Sequence, residues 1–148
     1  MTGSALVTGG AKRLGREMAL YLAKRGHDVV VHYNGSADAA DEVVAACNAM
    51  GRTAVALQAD LTDEADMQAL VGRAAEALGS PLAVLVNSAS IFEYDNIETA
   101  TRDSWDRHLE SNLRAPFVLT QAFAAQAPEA IVASEWNEPT AQASGAWA

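Results

Sequence analysis

The chain has 148 residues, half of them hydrophobic and a fifth charged, which is the composition of one globular domain with a sizeable core. Its formal net charge of −9 argues against nucleic acid and anionic membranes as partners, and no run of about 18 apolar residues offers a membrane-spanning helix. The single Cys47 cannot form an internal disulfide; on a helical face it fits a packed thiol in a reducing cytoplasm, not a redox or metal site.

The first strand, Ala5-Leu6-Val7-Thr8, starts so early that no signal peptide is expected. It runs into Gly9-Gly10-Ala11-Lys12-Arg13-Leu14-Gly15, a glycine turn opening a helix. That geometry predicts a phosphate cradle. Backbone N–H groups and the positive end of the helix dipole converge there, Gly9 and Gly10 permit a tight turn, and Gly15 lets the helix sit close to the sheet. The helix is expected over 14–25, with Leu14, Met18, Tyr21 and Leu22 on its apolar face. Val29-Val30-Val31 is a second buried strand, completing a strand–helix–strand unit. NAD-binding sites usually carry an acid after this strand, to hold the ribose 2′-hydroxyl. Here His32-Tyr33-Asn34-Gly35-Ser36 follows, without a carboxylate and with Arg13 nearby, which favours NADP(H). A lone histidine such as His32 is otherwise a satisfied structural residue.

Ser36 is placed to cap a helix over 37–50, with Ala40, Val43, Val44 and Cys47 buried and Gly51 ending it. Thr53 to Leu57 reads as the third strand, and Thr62 as the cap of a helix whose apolar face is Met67, Leu70, Val71, Ala74 and Leu78. Gly79 and Pro81 stop that helix. Leu82-Ala83-Val84-Leu85-Val86 is a fourth strand, apolar throughout and expected to be covered on both sides. Residues 101–127 read as one long helix with Trp105, Leu109, Leu113, Phe117 and Thr120 on one face. Pro116 lacks an N–H, so it frees the carbonyl of Asn112 four residues earlier and kinks the helix there.

The segment Thr8-Gly-x-x-x-Arg13-x-Gly15 resembles the cofactor loop of the short-chain dehydrogenase/reductase family, and Arg13 at its middle position resembles the pteridine reductase branch. The similarity runs from about Ala5 to about Phe123. It implies a Rossmann-like, doubly wound parallel α/β sheet in the order 3-2-1-4. It also implies an NADP(H) site formed by Thr8, Gly9, Lys12, Arg13, Leu14, Gly15, His32, Tyr33, Asn34, Ser36, Asp60, Leu61, Asn87, Ser88 and Ala89. In that branch a His-Tyr-x-x-Ser stretch helps to hold the 2′-phosphate, although an Arg often stands where this chain has Gly35. Asp60-Leu61 matches the family's adenine-contacting pair; the alternative is that Asp60 caps a turn. Asn87-Ser88-Ala89-Ser90 is similar to the family's N-N-A-G, with Ser88 in place of the second Asn. Ser90 and Phe92 are the implied substrate contacts, Phe92 being otherwise a lid or core residue. Asn112 matches the catalytic Asn that holds a water of the proton relay; the alternative is a polar helix–helix contact.

Complete members also carry a Tyr-x-x-x-Lys pair and an upstream Ser, which move the proton at the substrate carbonyl. This chain has tyrosines only at 21, 33 and 94 and lysines only at 12 and 24, so the pair is absent. Ala130-Ile131-Val132-Ala133-Ser134 reads as the start of a fifth strand, and the remainder of 128–148 as an atypical tail, disordered or shifted out of frame. The reading is therefore the amino-terminal NADP(H)-binding part of a reductase for a small carbonyl or pterin-like imine, truncated and inactive by itself. Relatives are homo-oligomers. The alternatives are a non-catalytic dinucleotide-binding or interaction module and a frameshift product without function.

Overall fold

The computed structural model describes residues 3–127. The expected fifth strand at 130–134 and the tail lie outside the described residues. The elements follow in strict alternation: β1 (Ser4–Thr8), α1 (Arg13–Lys24), β2 (Asp28–Tyr33), α2 (Ala37–Ala49), β3 (Ala54–Gln58), α3 (Glu64–Leu78) and β4 (Leu82–Asn87). A long helical segment ends the described chain: α4 (Arg102–Leu109), one π-helical stretch (Glu110–Arg114) and α5 (Ala115–Gln126). The sheet is parallel, in the order β3-β2-β1-β4. Among the described residues it is the four-stranded, Rossmann-like sheet in the order expected from the sequence.

Alternation along the strands divides the core in two. Leu6 of β1 and Val30 of β2 point to the α3/α5 side, with Met67, Leu70, Leu82 and Leu119. Val7, Val29 and Val31 point to the α1/α2 side, with Ala19, Val43 and the buried Cys47. Burial pushes the Cys47 thiol pKa up, as a packed sulfur requires.

Several local expectations need correction. The N-cap of α3 is Asp63, not Thr62; its carboxylate accepts the N–H groups of Ala65 (2.9 Å) and Asp66 (3.1 Å). Ser36 holds the N-cap position of α2 but makes no side-chain cap hydrogen bond. The side of α1 that packs on the sheet is Gly15, Ala19 and Ala23, one small residue per turn, while Leu14 and Tyr21 are exposed. The Trp105, Leu109, Leu113 and Phe117 stripe also faces outward; Ser104, Ser111, Ala115, Val118 and Leu119 are the buried side. β4 is not covered on both sides: Ala83 is exposed and Val84, Leu85 and Val86 are half-buried, because among the described residues β4 is a sheet edge. Just before Pro116 the helical segment changes to a π-helical stretch, which contains Asn112. No helix among the described residues is long and apolar enough to cross a membrane.

Candidate cofactor site

A cavity of about 510 Å³ lies where the loops leave the carboxyl ends of the four strands. Gly9 and Lys12 to Gly15 line it after β1, Asn34, Gly35 and Ser36 after β2, Asp60, Leu61 and Thr62 after β3, and Ser88 to Ile91 after β4. The chain reverses its strand order between β1 and β4, and open α/β sheets bind ligands at that crevice.

The glycine turn is built by close backbone approach. Gly9 sits at φ +62°, and a Cβ there would lie 2.8 Å from Ala89 Cα. A Cβ on Gly15 would lie 2.2 Å from the Gly9 carbonyl oxygen, so only glycine lets α1 begin this near the loop. Arg13 also adopts the left-handed region, at φ 52°. An arginine there is strained by roughly 1–2 kcal/mol. Among the described residues no side-chain hydrogen bond caps the start of α1, so its leading N–H groups lack a side-chain acceptor where Arg13, Leu14 and Gly15 line the cavity. Lys12 and Arg13 are exposed at that mouth and form no ion pair among the described residues. Among the described residues Asp60 is the one carboxylate lining the cavity. Its Oδ1 is taken by the Thr62 N–H (2.9 Å) and hydroxyl (2.7 Å), so it does cap a turn while also lining the site.

The turn glycines do not offer their own amides to a ligand. The Gly9 N–H donates to His32 Nδ1 (3.0 Å) and the Gly10 N–H to the His32 carbonyl oxygen (2.9 Å). His32 is almost fully buried, and its Nε2 meets the Ala59 carbonyl oxygen at 3.1 Å. Both ring nitrogens are thus engaged by backbone, and burial lowers the pKa of the ring below the ordinary histidine value. The side chain reaches the cavity wall but acts as a clip, not as a free phosphate donor.

Other expected residues hold the site together from behind. Thr8 is buried and does not line the cavity; its Oγ1 accepts the N–H groups of Ser88 and Ala89, both at 3.0 Å, and donates to the Val86 carbonyl oxygen (3.3 Å). It thereby staples the end of β1 to the start of the β4 loop. Asn112 pairs twice with the Ile91 backbone: Oδ1 accepts its N–H and Nδ2 donates to its carbonyl, each at 2.9 Å. Asn87 and Tyr33 stand outside the lining, and Phe92 is exposed, away from it. Gly35, Thr62, Ile91 and Ser111 line the cavity without having been expected there. Gly35 and Thr62 were signalled by the neighbours they separate or follow. Ser111 was not, because it arrives from the π-helical stretch more than a hundred residues after β1. Among the described residues no cluster of His, Cys, Asp and Glu is placed to hold a metal.

This arrangement is a two-cation, one-carboxylate mouth over a backbone-lined crevice, suited to an anionic, flat, multi-part ligand. A model of the short chain dehydrogenase family matches residues 4–132. The chain belongs to the short-chain dehydrogenase family. A 3-oxoacyl-(acyl-carrier-protein) reductase of Staphylococcus aureus is 38% identical over 117 residues, covering 79% of this chain and 47% of that protein. Among solved structures, a Burkholderia cenocepacia short-chain dehydrogenase in complex with NADP is 43% identical with a TM-score of 0.81, over 84% of this chain and 51% of that one. An alternative dihydrofolate reductase from Brucella suis, also in complex with NADP, is 35% identical with a TM-score of 0.77, over 85% of this chain and 52% of that one. The chain thus spans about half the length of the relatives it matches.

Proposed function

We propose that this chain is the NADP(H)-binding part of a short-chain reductase. The observation that carries the reading is the Gly9–Gly15 approach, with Lys12 and Arg13 at its mouth in no ion pair among the described residues and no carboxylate in the stretch after β2. Arg13 and Lys12 take the 2′-phosphate end together with Asn34 and Ser36. The start of α1 takes the pyrophosphate, and Asp60 and Leu61 border the adenine. Ser88 and Ala89 offer backbone to the nicotinamide ribose, and Ser90 stands nearest the substrate. NADP complexes among the relatives support this choice of dinucleotide.

The bound dinucleotide supplies the hydride. The substrate is a small molecule with a reducible carbonyl or imine, and the pterin-like option is supported by the resemblance to the dihydrofolate-reducing relative. Asn112 orders the β4 loop through Ile91, and Pro116, which has no N–H, leaves the Asn112 carbonyl without its i+4 helical donor, the place for a relay water. The chain holds no Tyr-x-x-x-Lys, so by itself it binds the dinucleotide without turnover. Fluorescence titration tests the reading: NADPH binds, more tightly than NADH, and a dihydropterin assay shows no steady-state reduction. Tighter binding of NADH, or none of NADPH in a folded sample, overturns the reading. Steady-state pterin reduction overturns the claim of inactivity.

A further inference from the structure

We propose that His32 is a positioning residue that makes dinucleotide affinity depend on its own proton: the neutral ring clamps the glycine turn to the loop after β3, and protonation opens the clamp. The cofactor half of this statement rests on the NADP(H) reading above; the clamp itself does not.

The chemistry of the partners fixes the tautomer. A backbone N–H can only donate, so Nδ1, 3.0 Å from the Gly9 nitrogen, must carry a lone pair. A carbonyl can only accept, so Nε2, 3.1 Å from the Ala59 oxygen, must carry the hydrogen. One neutral imidazole therefore ties two segments that lie 23 and 27 residues away from it in sequence. The same residue holds Gly10 through its carbonyl, so consecutive turn amides are both satisfied by His32. Adding a proton at Nδ1 sets N–H against N–H and releases Gly9 from its left-handed setting, the position that Gly15 packs against.

The surroundings leave the switch to the ring. From α3 the facing charges are Arg73, which disfavours the protonated ring, and Asp66, which favours it. Both are also engaged elsewhere, Arg73 with the Gln58 carbonyl (3.0 Å) and Asp66 with the Asp60 N–H (2.7 Å). Lys12, Arg13 and Asp60 lie around the shared cavity. The groups that hydrogen-bond to the ring nitrogens are backbone, and burial favours the neutral form.

The test combines an apo measurement with a binding profile. In nitrogen-15-labelled wild-type protein, the His32 ring is expected to show the Nε2–H tautomer at neutral pH. On acidification the Gly9 amide is expected to shift with the same midpoint as the ring. Calorimetry with NADP+ is expected to show affinity falling about tenfold as the ring protonates, the loss of one hydrogen bond and its register. His32→Asn keeps an acceptor near the Nδ1 position and cannot titrate. It is expected to retain affinity near neutral pH within a few-fold and to keep only the pH dependence of the ligand's own 2′-phosphate. His32→Gln, which reaches Ala59 but not Gly9, is expected to bind weakly at every pH. A Gly9 amide that ignores the His32 titration refutes the clamp, including where the variants fail to fold. A pH profile of His32→Asn identical to wild type refutes the affinity switch. Absence of NADP+ binding to folded protein sinks the cofactor reading and the affinity switch with it, while the amide titration still judges the clamp.

Discussion

Replacing Gly15 with alanine sets a favourable local term against a prohibitive contact. Gly15 lies in the first turn of α1, where alanine gains about 1 kcal/mol of helix propensity over glycine. The added methyl, however, would stand 2.2 Å from the Gly9 carbonyl oxygen, 2.8 Å from its carbon and 3.2 Å from Gly10 Cα. All three are backbone atoms, so no flexible side chain can yield. Gly9 cannot retreat freely, since a Cβ-sized displacement brings it against Ala89 and its N–H is held by His32. Relief requires α1 to lift from the turn, at a cost of about 1–3 kcal/mol of overpacking that exceeds the propensity gain. The lifted helix start also moves its N–H groups out of register with a phosphate. At about 1.5–3 kcal/mol for hydrogen bonds to a charged group, NADPH affinity falls roughly ten- to a hundredfold. Gly72→Ala is the matched control: it lies in α3, exposed, with nothing within 4 Å of an added Cβ. It is expected to raise stability by roughly 0.5–1 kcal/mol and leave NADPH binding unchanged. Thermal melts and fluorescence titrations of the two variants decide the matter. Gly15→Ala protein with wild-type melting and wild-type NADPH affinity would refute the close-approach argument.

Arg13→Gly removes the strain of the left-handed arginine while deleting its guanidinium, so melting temperature is expected to hold or rise as the NADPH-over-NADH preference falls about tenfold; paired melts and titrations read both. Thr8→Val keeps the shape but strands the Ser88 and Ala89 amides, with an expected loss of about 1–3 kcal/mol in urea unfolding, whereas Thr8→Ser stays near wild type. Asn112→Ala breaks both contacts with the Ile91 backbone; about 1 kcal/mol is lost and the Ile91 amide exchanges faster with deuterium. Stability also depends on pH through His32, whose folded-state pKa is lowered by burial. The unfolded histidine takes up a proton near about pH 6.5, so stability is greatest above that value and declines as pH falls below it, by at most about 1.4 kcal/mol per pH unit. Urea unfolding at stepped pH reads the slope, and a flat profile between neutral and mildly acidic pH would refute the lowered value.

The sequence alone determined the strands and the glycine turn, because each rests on local chemistry: β-branched runs, a left-handed turn and helix punctuation; the parallel order β3-β2-β1-β4 came only from the resemblance to the family, since strand pairing is a long-range contact. The sequence also placed the acid-free stretch after the second strand. Tertiary structure decided which apolar faces were packed and which expected site residues lined the cavity. A stripe such as Leu14, Met18 and Tyr21 shows that a helix side is apolar, but the neighbour determines whether that side is covered. At α1 the close sheet contact selects Gly15, Ala19 and Ala23 instead, since small side chains allow the shortest approach. Thr8, Asn112 and His32 were legible as polar residues near a cofactor. Their roles as staple, loop holder and clip follow from partners 80, 21 and 23 residues away, which only the fold brings within hydrogen-bond distance. Periodicity encodes the environment of a side chain as an average over a face, while a hydrogen bond is a pairwise distance, and pairwise distances between remote segments exist only once the chain has folded.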